Sequence, residues 1–134
     1  MALIEIKFPG NKRVDAHIKG HIVPTDQPEY AGGDNTAPAP FEVFLTSIAS
    51  CAGIYALSFC QNKGIDTEGL GLEMDVVKNP ETKMIEDVIL NLTLPTGFPE
   101  KYKAAIIRSI DLCAVKKHMM NPPQFTINTI AEEA

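Results

Sequence analysis

FEVFLTSIASCAGIYALSFCQN, residues Phe41 to Asn62, is the stretch on which the fold turns. Glu42 is its one charged residue, and as a helix it would run about 33 Å, the length of a membrane span. It also carries Thr46, Ser47, Ser50, Ser58 and Gln61, and neither a second such run nor a basic flank accompanies it, so a membrane helix is rejected. A helix apolar on nearly every side belongs at the buried centre of a globular fold. Both ends are signalled: Pro38-Ala39-Pro40 precedes it, with proline favoured at a first helical position, and Asn62-Lys63-Gly64 closes it.

On the N-terminal side, residues 2 to 23 read as a small antiparallel meander. Leu3 to Phe8 alternates, Pro9-Gly10-Asn11 turns, and Arg13 to Ile18 precedes His21-Ile22-Val23. A loop rich in Pro, Gly, Asp and Asn then runs from Pro24 to Pro40, and ordered loops of that length are often functional. On the C-terminal side, Leu70 to Val77 and Ile85 to Leu94 alternate with period two around Lys78-Asn79-Pro80-Glu81, a hairpin. A second long helix is expected from Glu100 to Met119, opened by Pro99 and closed by Lys116-Lys117-His118. Gln124 to Ile130 is expected as a last strand. Strands, long helix, strands, long helix, strand is the order of an α+β domain.

The sequence has 134 residues, 45% of them apolar, with a net charge of −5. That length fits one domain, residues 1–134, able to bury a core without staples. Three cysteines make an odd count for a disulfide framework, and the start Met-Ala-Leu-Ile-Glu-Ile-Lys lacks a signal-peptide pattern, so a reducing cytoplasm is the expected compartment. Only Arg13 and Arg108 are arginines, which leaves no basic footprint for nucleic acid. A sheet open on one face and a nearly all-apolar helix call for a partner chain, and a homodimer would supply it.

Chemistry centres on two thiols. Cys51 lies in the middle of the first helix and Cys113 in the second, with Lys116 and Lys117 three and four residues further on, where positive charge would favour the Cys113 thiolate. Cys51 itself sits far inside its helix, beyond the reach of the helix dipole, so its activator must come from elsewhere. Cys60, nine residues on and half a turn out of phase with Cys51, reads as a core residue. His17 and His21 read as surface residues, and His118 as a charge suited to a helix C-terminus. No metal-ligand spacing is present, Gly32-Gly33 lacks the setting of a phosphate cradle, and no histidine is placed to pair with Cys51 in an acyl hydrolase.

Three motifs carry a resemblance. Pro40-Phe41-Glu42-Val43-Phe44-Leu45-Thr46-Ser47-Ile48-Ala49-Ser50-Cys51 resembles the first-cysteine helix of the OsmC/Ohr family. Tyr30-Ala31-Gly32-Gly33-Asp34-Asn35 is similar to its glycine-rich loop, and Ile110-Asp111-Leu112-Cys113-Ala114-Val115 to its second-cysteine segment. The resemblance spans roughly residues 3 to 130. It implies antiparallel sheets wrapped around two long central helices in an intertwined homodimer. It further implies a peroxidase in which Cys51 reduces an organic hydroperoxide and becomes a sulfenic acid. Cys113 resolves that acid as a disulfide and a dithiol reductant resets the pair, with no metal or organic cofactor.

The family's activating arginine and glutamate would be Arg13 and Glu42. Here Phe41 follows the helix-opening proline and Glu42 stands nine residues before Cys51. On an ideal helix nine residues place it about 180° from the thiol, where ten would place it about 80° away. Phe41, Phe44, Ile48 and Tyr55 are expected to line an apolar approach that favours alkyl peroxides. The alternative is a non-catalytic OsmC-like protein whose pocket binds a small apolar ligand or whose cysteines sense redox state.

Overall fold

A computed structural model describes residues 2–131. Its secondary structure is α+β, with two antiparallel sheets and helices between and after them. The chain forms two compact units, one ending at Ser50 and the other beginning at Cys51.

The first unit opens with the expected meander: β1 (Ile4–Gly10), β2 (Arg13–Ile18) and β3 (His21–Thr25), in that order. Lys19 and Gly20 both take positive φ between β2 and β3, as a two-residue hairpin turn requires. The loop that follows is built around Asp26, whose side chain is fully buried. Its carboxylate accepts hydrogen bonds from the Gln27 N–H at 2.7 Å, the Thr36 N–H at 3.0 Å and the Thr36 hydroxyl at 2.7 Å. Those bonds hold its pKa at about 2, the Thr36 hydroxyl contributing most. Gly33 closes the loop: a Cβ there would meet the Gln27 carbonyl oxygen at 2.0 Å, a contact only glycine avoids.

Helix α1 (Pro40–Asn62) forms where the sequence places it. Pro40 is its first residue, and the Glu42 carboxylate reaches back to accept the Ala39 N–H at 2.9 Å, half of a capping box. Its exit is a Schellman turn, with Gly64 at φ 67° and the Ile65 N–H bonded to the Cys60 carbonyl at 2.9 Å. By length and composition α1 passes the test for a membrane span. It buries a stripe spaced by four, Ile48, Ala52, Ala56 and Cys60, while Phe41, Phe44 and Ile54 stay exposed. Within one chain, then, α1 is buried along a stripe and not on all sides as its composition predicts.

In the second unit, β4 (Gly71–Lys78) and β5 (Ile85–Thr93) pair as the expected hairpin. Ala56 and Cys60 pack on Ile106, with Phe59, Leu70, Leu92 and Leu94 around them, so Cys60 is a core residue. The single second helix expected over 100–119 is instead three pieces: a 3-10 turn (Glu100–Tyr102), α2 (Lys103–Asp111) and α3 (Ala114–Met120). The break falls at Leu112 and Cys113, where Cys113 turns extended at φ −49° and ψ 128°. The last strand does not form either: residues 124–130 have no regular structure, and Phe125, Ile127 and Ile130 are at least 87% exposed. Alternation supplies a strand's faces but not its neighbour, and among the described residues no strand pairs with this segment.

Candidate functional site

The break between α2 and α3 is what assembles the thiol site. Cys113 occupies the N-cap position of α3 and makes no side-chain capping bond to its own helix. Its backbone N–H goes back to the Ile110 carbonyl at 3.0 Å, which leaves the N–H groups of α3's first turn without a partner inside the helix. Two of them, from Ala114 and Val115, reach toward Cys51 and, with the Cys113 thiol, act on it as donors that lower its pKa. All three cysteines are free thiols.

Cys51 is half-buried and Cys113 is 3% exposed, and the two are pushed in opposite directions. Burial raises the Cys51 thiol, but the hydrogen bonds from Cys113, Val115 and Ala114 together outweigh burial and bring its pKa below the ordinary value. Cys113 is raised, first by burial and then by giving its hydrogen bond to Cys51 and by the negative charge there. One thiol is eased toward its thiolate and its neighbour is held toward its protonated form. Cys60 is raised by burial alone.

This reverses the electrostatics expected from the sequence. Lys116 acts on Cys113 through its backbone N–H, which with that of Val115 lowers the thiol, but burial and the hydrogen bond to Cys51 outweigh both; its ammonium is paired with the Asp111 carboxylate at 2.6 Å. The groups that lower Cys51 are first the Cys113 thiol, a residue the sequence singles out, and then the Val115 and Ala114 N–H groups, which no residue-type pattern reveals because every residue except proline carries an N–H.

Arg13 and Glu42 are not joined. Arg13 lies in β2, half-buried, and its Nε donates to the Gly10 carbonyl at 3.4 Å. Glu42 is occupied at the start of α1 as described, and among the described residues no ion pair includes either side chain. Of the expected apolar approach, Phe41 and Phe44 pack on each other with ring centres 5.5 Å apart, Ile48 is buried, and Tyr55 lines a groove of about 450 Å³ with Ile54, Ser58 and Phe59.

The chain is thus an α+β protein of two antiparallel sheets in which one thiol is lowered and its neighbour raised. The chain belongs to the OsmC-like protein family, whose pattern matches residues 32–128 and so takes in Gly32 to Asn35 of the glycine-rich loop and both Cys51 and Cys113. Solved structures share the fold. A Psychrobacter arcticus 273-4 protein, described as an osmotic stress induced and detoxification response protein, superposes with a TM-score of 0.73 at 22% identity, over 87% of each chain. A hypothetical protein from Aquifex aeolicus VF5 gives 0.62 at 13% identity, over 89% of this chain and 86% of that one. An organic hydroperoxide resistance protein OsmC from Legionella pneumophila gives 0.52 at 16% identity, over 89% and 90%. No curated protein sequence matches the chain.

Proposed function

We propose that this protein is a thiol-dependent peroxidase for organic hydroperoxides. The observation that carries the reading is the hydrogen-bonded pair itself, with Cys51 held toward its thiolate by the Cys113 thiol and the Ala114 and Val115 N–H groups. The Cys51 thiolate attacks one peroxide oxygen; the O–O bond breaks, and with one proton from solvent the products are the alcohol and the Cys51 sulfenic acid. The Cys113 thiol then displaces the hydroxyl as water and forms the Cys51–Cys113 disulfide. An external dithiol reduces that disulfide, becoming oxidised itself and returning both thiols. These steps call for no metal or organic cofactor. The name of the Legionella relative points to the same substrate class.

Arg13 and Glu42 belong to this reading only as residues that an incoming peroxide or a partner chain brings together, since each is engaged elsewhere. A homodimer fits the exposed apolar residues of α1 and of the C-terminal segment, and a reducing cytoplasm suits three free thiols. The test is turnover of cumene or tert-butyl hydroperoxide with a dithiol reductant, beside hydrogen peroxide. Rapid loss of organic peroxide that C51S abolishes is expected, with C113S allowing a single turnover; inert protein with both thiols reduced would sink the proposal.

One observation favours a second reading, a carrier of a small apolar molecule. A groove of about 410 Å³ runs between the hairpin and α2, walled by Leu72, Leu90, Leu92, Ile106 and Ile110. Binding of an apolar fluorescent probe by a chain that turns over no peroxide would favour it.

A further inference from the structure

We propose that the Lys116–Asp111 ion pair is a positioning device that straps the α2–α3 break and holds the Ala114 and Val115 N–H groups on Cys51. The inference rests on the reading of Cys51 as the reactive thiol. Asp111 is the last residue of α2 and Lys116 lies in the first turn of α3. Between them the backbone offers little restraint. Leu112 and Cys113 bond back to Ser109 and Ile110 at 3.1 and 3.0 Å, and then the chain turns extended and a new helix begins. Among the described residues, the contact of Lys116 Nζ with Asp111 Oδ1 at 2.6 Å is the one side-chain hydrogen bond that crosses the break. The direction in which the two N–H groups point follows the angle at which α3 leaves α2, and this pair fixes that angle from the outside.

An alternative role for Lys116 is simply its charge, and the sign of one variant separates the two. If only the field at Cys51 mattered, D111N would remove a negative charge and make the thiolate easier to form. If the strap matters, D111N loosens the break and makes the thiolate harder to form, as K116M does. Neither variant alters the other titratable groups beside Cys51 and the start of α3, which are Cys113 and His118, whose Nδ1 contacts the Ala114 carbonyl at 2.7 Å.

The experiment is the pH profile of Cys51 carbamidomethylation by iodoacetamide in the reduced full-length protein, read by peptide mass spectrometry so that Cys51, Cys60 and Cys113 are counted apart. The pair is about half exposed, which limits its worth. K116M and D111N are therefore each expected to slow Cys51 modification at pH 7 by about threefold and to move the profile to higher pH, while K116R keeps the wild-type profile. Faster modification in D111N, or unchanged profiles in both variants, overturns the strap. A wild-type Cys51 that titrates no lower than a free cysteine would instead overturn the peroxidatic reading, and the strap with it.

Discussion

At the residue scale the protein divides its two neighbouring thiols by environment and not by type. Cys51 and Cys113 are chemically identical, yet donors lower the first below its ordinary value while burial and its donation to Cys51 raise the second. The thiolate is the reactive form, so Cys51 is expected to be alkylated at pH 7 at least tenfold faster than Cys113, and to keep reacting as pH falls below the free-thiol range near 8.5. Site-resolved alkylation of the reduced protein checks this. Asp26 gives a second residue-scale expectation. Its folded pKa of about 2 lies below the ordinary 3.8, so its stabilising effect is full above pH 4 and is lost as pH falls through 2. A thermal melt series from pH 5 to pH 2 should show the wild-type melting temperature falling through that window, whereas D26N starts lower and loses that part of the dependence.

At the element scale the decisive feature is a helix that stops and restarts. Ala114 is the first residue of α3, a position that tolerates proline, and the extended conformation of Cys113 is the one a residue before proline prefers. A114P therefore removes one of the N–H groups on Cys51 and spares the helix. We expect Cys51 alkylation at pH 7 to slow by about tenfold, with the far-UV circular dichroism unchanged, since a hydrogen bond to a charged group contributes about 1.5–3 kcal/mol. The loop ahead of α1 is tested by G33A, whose new methyl group collides with the Gln27 carbonyl. Overpacking of this kind costs about 1–3 kcal/mol and should lower the melting temperature by several degrees. Helix α1, the meander and the hairpin were all legible, because Pro40, Gly64, the Pro9-Gly10-Asn11 turn and period-two alternation state local backbone requirements. The break at Leu112 and Cys113 was not: Ser109 to Val115 contains no glycine or proline, and an interruption made by packing leaves no mark in residue type. Glu42 shows the intermediate case: two residues past Pro40 it suits a helix start, where it accepts the Ala39 N–H, and only the family resemblance offered it as a catalytic acid.

At the scale of the whole molecule, one chain leaves apolar groups uncovered. Phe125, Ile127 and Ile130 are 87%, 93% and 93% exposed, and Phe8, Phe41 and Ile54 are open as well. A sequence can say that a segment alternates like a strand, but the strand that would accept it need not lie in the same chain, which is why residues 124–130 misled. Sedimentation equilibrium is expected to give about twice the 14.6 kDa chain mass. The double variant F125S/I127S should shift the protein toward the monomer, and a wild-type monomer at micromolar concentration would speak against the homodimer.

The sulfur of Cys51 also serves as the cap of a helix to which it does not belong. Once it becomes a thioether, α3 loses the thiol sulfur toward which its first two amides reach, and a covalent mark on a single atom is converted into loosened backbone. Amide exchange at Ala114 and Val115 should therefore quicken on alkylation of Cys51 while the hairpin amides stay unchanged, making local backbone order a direct record of what has happened to one thiol.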